Sequence, residues 1–381
     1  MKSIKIAGFY KLVAFALIAI MLVVAAQVAA SGWQSPDTDK PDSGEVDDNN
    51  NQADENTDGK DDENQGANPN EEPPVEEIVV PKYYNYLTGL ETTDEASRAA
   101  PICFVLNSSS PLYSISSADV LIEIPVENGE TRLLAYVPSG DIIGKIGSVA
   151  ATRPYISSAA KFFGGIAVYS GNDGGASDFF PAFETHAKAI DLSQYTGYCY
   201  TENTLFLYTN SDLINAGLLN ASLSTTMSET PTLPFNFTAP DGASVTLDKS
   251  ATTVVLPYSP SNETELYYSK DTGLYTFCKS GSAKKDLLNA KNAEFTNAFI
   301  LFANSKLHYT EVGTSFEMNT EGGGRGYYLS GGQYTEIIWS VDESGNMIFS
   351  DTNGTKLTVN RGKTYIGYFI SSNYSTVGFV Q

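Results

Sequence analysis

Basic residues are scarce in this chain: 23 Lys and Arg stand against 45 Asp and Glu, a formal net charge of −22 over 381 residues. Nucleic-acid binding needs basic stripes that displace counterions from phosphates, so that class of function is excluded. Histidine is scarcer still. His186 and His308 are the two in the chain, and no HExxH or CxxC run occurs, so neither a metal site nor a cofactor is expected. The cysteines are three, scattered and odd in number: Cys103, Cys199 and Cys278. A disulfide scaffold shows even, spaced cysteines. Free thiols are therefore expected, with one disulfide as the alternative. Long apolar runs are absent but for one near the start. Leu12 to Ala26 carries no charge, three lysines precede it, and Val28-Ala29-Ala30 follows with small side chains.

That first stretch, residues 1–30, has the pattern of an export signal. Its apolar length is just enough to span a bilayer, which takes about 20 residues. It is either cleaved, leaving a secreted protein, or kept as an N-terminal membrane anchor. Residues 31–80 follow as an acidic linker. Between Gln34 and Val80, 16 Asp/Glu face 2 Lys, a net of −14, with almost no aromatic residue. Such a segment cannot bury a core and is expected to be disordered. Once the three head lysines are counted, the body keeps a net charge of −11. An acidic body fits poorly with anionic lipid or polymer, except through local Arg or Lys.

The body has length for two domains. Residues 82–230 read as an α/β-type domain with a hairpin and helices. Strand-like "PICFVLNSS" and "IAVYSG" alternate with helix-like "RPYISSAAKFFGG" and "NSDLINAGLLNASL". Phe162 and Phe163 should lie on the buried side of the first helix, with Gly164-Gly165 stopping it. Residues 231–381 read as mostly antiparallel β, in segments about ten residues apart punctuated by Gly331-Gly332, Ser344-Gly345-Asn346 and Asn353-Gly354. The fold class expected is α+β overall.

The most specific stretch is ADVLIEIPVENGETRLLAYV, Ala118 to Val137. Asn128-Gly129 is a strong two-residue turn signal, because both central residues of a type I′ turn need φ > 0. A two-residue loop sets Glu123 opposite Leu134 and Pro125 opposite Arg132. Alternation then gives one apolar face, with Val120, Ile122, Ile124 and Val126, and one charged face, with Glu123, Glu127, Glu130 and Arg132. The charged face is either a solvated, salt-bridged surface or the wall of a ligand pocket. The pocket would be completed by Asn107, Arg153 and the Gly-rich loop Gly171-Asn172-Asp173. That loop follows a strand and can offer backbone N–H groups to an anion.

Other motifs are weaker. Ser158-Ala-Ala-Lys161 has the SxxK spacing of penicillin-binding nucleophiles, but no Lys-Thr-Gly accompanies it: Lys363-Thr364 is followed by Tyr365. Asp351-Thr-Asn353-Gly-Thr355 begins like a calcium loop, yet Gly362 stands where the bidentate acid belongs. The many tyrosines can stack on sugars, although packing is their default role in strands.

"ADVLIEIPVENGETR", "IGSVAATRPY", "GRGYYLSGGQYTEIIWS" and "FSDTNGTKLTVNRGKTYIGY" resemble the YerB-like family of extracytoplasmic proteins from Gram-positive bacteria. The resemblance covers roughly residues 82–370. It implies a two-domain envelope protein. Members of the family are typically lipoproteins, but no Cys precedes Cys103 here, so a lipid anchor is not expected. The family pattern also has a His where Tyr169 stands and an additional Arg where Ala150 stands. The lead expectation is a binding or scaffold module that engages peptidoglycan or an envelope protein partner. Asn107, Glu123, Glu127, Arg132, Arg153, Asn172 and Asp173 are the candidate ligand-binding residues. The rival is a wall hydrolase or lytic transglycosylase with Glu123 or Glu127 as general acid or base.

Overall fold

A computed structural model of the chain describes residues 82–139, 144–171, 188–203, 205–227, 233–310 and 313–381. The expectations for residues 1–30 and 31–80 therefore lie outside the described residues, as do Asn172, Asp173 and His186. Residues Glu77–Gln381 form one compact unit. The fold is α+β and strongly β-rich. The α/β-type alternation expected for the first half is not what organises it, since its described helices are short and few.

The strands that matter here are β1 (Pro101–Asn107), β2 (Val120–Pro125), β3 (Thr131–Pro138) and β4 (Lys145–Val149), followed by helices α1 (Pro154–Ala159) and α2 (Ser211–Asn220). Then come β5 (Thr253–Ser259), β6 (Asn262–Ser269), β7 (Leu274–Lys279), β8 (Asn297–Ala303), β9 (Ser305–Thr310), β10 (Gly313–Met318), β11 (Gly323–Ser330), β12 (Gln333–Val341) and β13 (Thr364–Ile370). A large mixed sheet runs β12-β11-β8-β13-β2-β3-β1-β4. Its two halves meet at a parallel pair, β13 beside β2, in the register Thr364↔Val120 to Gly367↔Glu123. The segments 82–230 and 231–381 are thus not separate bodies, because this sheet runs through both.

The central strands are apolar almost throughout, and β2 and β8 are buried along their whole length. That is the pattern of strands covered on both faces. One face carries Leu121, Leu133 and Ala135 and packs under a second sheet, with Leu256 of β5, Leu266 of β6 and Phe277 of β7. The other face carries Ile122, Ile124, Val126 and Tyr136. It packs with Tyr155 and Phe163 and with Phe235, Trp339 and Phe349. Helix α1 starts with Pro154 in its first turn, where a missing N–H costs nothing. Phe162 and Phe163 follow it into the core, and Gly164 at φ +65 ends the turn. Helix α2 is capped by Asn210, whose side chain accepts from the Leu213 N–H. Cys103, Cys199 and Cys278 are all free thiols.

The hairpin β2–β3 turns where expected, with Asn128 at φ +61 and Gly129 at φ +73. Its register differs by one residue. The loop holds three residues, Glu127, Asn128 and Gly129, and the Val126 N–H donates to the Glu130 carbonyl at 2.9 Å. Glu123 therefore faces Leu133, and Arg132 faces Ile124. A shift of one residue exchanges the faces of a strand. Arg132 consequently lies on the side of Ile122 and Ile124, and Glu123 lies on the opposite side. The expected single charged face does not exist.

Candidate functional site

The two glutamates of the hairpin have different surroundings. Glu123 is fully buried between the two sheets, on the face covered by β6 and β7. Its Oε1 accepts from Lys279 Nζ at 2.7 Å and from the Thr131 hydroxyl at 2.7 Å. Its Oε2 accepts from Thr264 at 2.8 Å and from the Tyr365 hydroxyl at 2.7 Å. The Lys279 ammonium also donates to Thr264 at 2.9 Å. Burial, then the Glu123 charge, pushes the Tyr365 hydroxyl well above its ordinary pKa, so it stays a donor. This is a closed network that joins β2 and β3 to β6, β7 and β13.

Glu127 sits at the hairpin tip over a cleft of about 490 Å³ lined by Asn107, Ser109, Glu130, Arg132, Arg153 and Ser315, among others. Arg153 caps the start of α1, and its guanidinium grips the Glu127 carboxylate: Nη2 donates to Oε2 at 2.6 Å and Nε to both oxygens at 3.1 Å. The remaining Arg153 Nη1 donates to the Thr152 carbonyl at 2.9 Å. The Phe316 N–H of β10 adds a 3.3 Å contact to Glu127. Burial alone would raise the Glu127 carboxyl, but the Arg153 hydrogen bonds and charge, with the backbone N–H groups, hold it below its ordinary pKa. Glu127 is thus fixed as a carboxylate.

The rest of the cleft is hydrogen-bonding surface. Asn107 lies opposite Arg132 across β1 and β3. The Asn107 Oδ1 accepts from the Ser109 N–H at 3.1 Å, and the Ser109 hydroxyl donates to Glu130 at 2.6 Å. Arg132 is half-buried, with Nη1 3.4 Å from the Thr131 carbonyl. From β10, Thr314 and Ser315 close the far wall. Ser315 is 5% exposed, and its hydroxyl has no hydrogen-bond partner among the described residues.

The structure thus brings Asn107, Glu127, Arg132 and Arg153 together and places Glu123 elsewhere. Gly171 lies near, its carbonyl accepting from the Thr152 N–H at 3.1 Å. Sequence reasoning missed Ser109, Thr314 and Ser315 in the cleft, and Lys279, Thr264 and Tyr365 around Glu123. Nothing local marks these residues, since strand pairing over long separations assembles them. His308 pairs with Glu317 across β9 and β10, Nε2 to Oε2 at 2.9 Å. Among the described residues no group of three or more His, Cys, Asp or Glu could hold a metal ion.

Residues 87–223 match the N-terminal domain, and residues 254–366 the C-terminal domain, of the family described as protein of unknown function DUF3048. The chain belongs to this family. The crystal structure of YerB from Bacillus subtilis is similar, with a TM-score of 0.68 and 22% identity over 79% of this chain and 100% of that one. At that identity the likeness shows the YerB-like fold. No curated protein matches the sequence. In the DUF3048 domains of this chain the hairpin belongs to the N-terminal match and Lys279 to the C-terminal one, so the Glu123 network ties the two matched regions together.

Proposed function

We propose that the protein is an extracytoplasmic binding or scaffold module of the cell envelope. In this reading the cleft under the hairpin tip takes a carboxylate-bearing group of peptidoglycan or of an envelope protein. The observation that carries the reading is the cleft wall itself. Asn107, Ser109 and Thr314 line it with polar side chains. Arg132 adds a planar guanidinium suited to carboxylates.

The rival hydrolase needs a carboxyl that carries a proton near neutral pH or a base that reaches substrate. Glu127 is held ionised by Arg153 and Glu123 is enclosed, which weighs for binding over chemistry. The export-type pattern of residues 1–30 supports the envelope location, with the segment as anchor or as cleaved signal.

The test is titration of the purified chain with soluble peptidoglycan fragments, in parallel with mass spectrometry of any products. Binding is expected without product release, and Arg132→Ala should weaken it by about tenfold or more while the thermal melt is kept. Fragment release that vanishes in Glu127→Gln would establish the hydrolase instead.

A further inference from the structure

Strands β9 and β10 form a two-stranded ribbon that pairs with no other strand among the described residues. A paired strand turns its main-chain groups alternately toward its neighbour and away from it. Two contacts fix which groups of β10 turn outward. Just past the strand, the Asn319 N–H donates to the Asn304 carbonyl at 2.9 Å and continues the ladder. By alternation, Glu317 and Ser315 are then the β10 residues bonded to β9, opposite Lys306 and His308. The Phe316 N–H points the other way, to Glu127 Oε1 at 3.3 Å. Thr314 and Phe316 therefore carry the outward groups.

That outer edge faces the cleft. Thr314 lines the cleft, and so does Glu127, which takes the Phe316 N–H. Glu127 Oε1 thus occupies the place that the carbonyl of a neighbouring strand would take. The Thr314 N–H, the Thr314 carbonyl and the Phe316 carbonyl meet no partner among the described residues. Open N–H and C=O groups along a strand edge are a template for a further strand. Asn107, Ser109 and Glu130 line the same cleft with polar side chains that such a strand would meet.

We infer that the cleft binds an extended segment of a protein, which adds to the β10 edge as a strand. This rests on the reading of the cleft as a ligand site and chooses between its two sources. In an antiparallel pairing the ligand residue opposite Thr314 accepts from the Thr314 N–H and donates to the Thr314 carbonyl. The ligand residue two positions away donates to the Phe316 carbonyl. A glycan offers no such ladder of amides. A regular ladder also needs consecutive residues of one hand, because strand twist follows from L chirality. An envelope protein segment meets both conditions. The opposite edge of the ribbon gives the control. Leu307 and Tyr309 lie there, 50% and 76% exposed, and neither lines the cleft.

The experiment pans the purified full chain against a displayed library of random all-L heptapeptides and titrates the enriched peptides as synthetic products. Wild type is compared with Thr314→Pro and Leu307→Pro. Each variant removes a main-chain N–H that the ribbon does not use, the kind of edge position where proline is tolerated, so both should melt like wild type. Peptide binding should fall about tenfold or more in Thr314→Pro and stay within about twofold in Leu307→Pro. Methylating one peptide nitrogen at a time should weaken binding at every second residue, a period that side-chain recognition alone does not produce. That scan uses the wild-type protein and stands whatever the variants do to the ribbon. A scan without this period would overturn the inference, as would binding that survives in a folded Thr314→Pro or is lost in Leu307→Pro. Soluble peptidoglycan fragments are titrated in parallel. Fragments that bind wild type and Thr314→Pro alike, with no period-two peptide, would keep the cleft as a ligand site and remove the added strand. Binding of neither peptides nor fragments would remove both.

Discussion

Lys279→Met is the sharpest probe of what joins the two matched regions. The Lys279 and Glu123 side chains are 8% and 0% exposed, with Nζ and Oε1 2.7 Å apart. Removing the ammonium leaves a carboxylate sealed between two sheets with three hydroxyl donors, Thr131, Thr264 and Tyr365, and no cation in hydrogen-bond contact, Lys284 acting on it only through space. Losing one partner of a buried pair costs about 3–5 kcal/mol, because the other charge stays desolvated. For a unit of this size a kcal/mol moves the melting temperature by roughly 2 °C, so a drop of roughly 6–10 °C is expected. Adding Glu123→Gln removes the stranded charge but keeps an amide oxygen to accept from the hydroxyls. The double variant should therefore regain most of the loss and lie within about 1–2 kcal/mol of wild type. Thermal and urea unfolding of the four proteins of this cycle give the coupling. A Lys279→Met cost below about 1 kcal/mol, or a double variant as unstable as the sum of the singles, would refute the network as a stabilising seam.

Glu127 gives a pH test. Its folded pKa lies below the ordinary 4.5, so its contribution is present in full above that value and is lost as pH falls through the lower folded value. The stability difference between wild type and Glu127→Gln, followed by urea unfolding from pH 7 down to about pH 3, should shrink on acidification, and a constant difference would contradict the Arg153 pairing. Gly129→Ala should destabilise by about 1–3 kcal/mol: the position has φ +73, and an added Cβ would collide with the Cβ of Ser259. Unchanged melting would show that the loop tip is not seated on β5.

The turn at Asn128-Gly129, helices α1 and α2 and the β-rich second half were legible because local chemistry sets them: a pair that accepts φ > 0, Pro154 in a first turn, Asn210 as a cap, regular apolar alternation. The register was not legible. Alternation pins register only when one face is wet. Here β2 reads VLIEIP and is buried throughout, so either register buries an equally apolar set. The deciding partners lie far off in sequence. Lys279 is 156 residues from Glu123 and Tyr365 is 242, and no spacing rule connects them. The division at 230/231 followed a real change of pattern from mixed to all-β. It could not reveal that β13 returns to pair with β2 and runs the sheet across that boundary.

The register also explains why two carboxylates four residues apart end in different chemistry. With three residues in the loop, Glu123 stays within the paired strand and must point into the covered face, where only a neutralising cation and several donors make its burial tolerable. Glu127 becomes the first loop residue, at the rim. It is reached there by Arg153 from the start of α1 and by the Phe316 N–H from β10, while the Asn262 amide of β6 donates to the Gly129 carbonyl at 2.8 Å. The tip is thus held by groups from both matched regions. Asn107, Arg132 and Arg153 in the cleft come from the first region, and Thr314 and Ser315 from the second. The cleft therefore depends on the joined sheet. The Glu123–Lys279 network, enclosed deep beneath the same hairpin, ties together the strands from which those two walls rise.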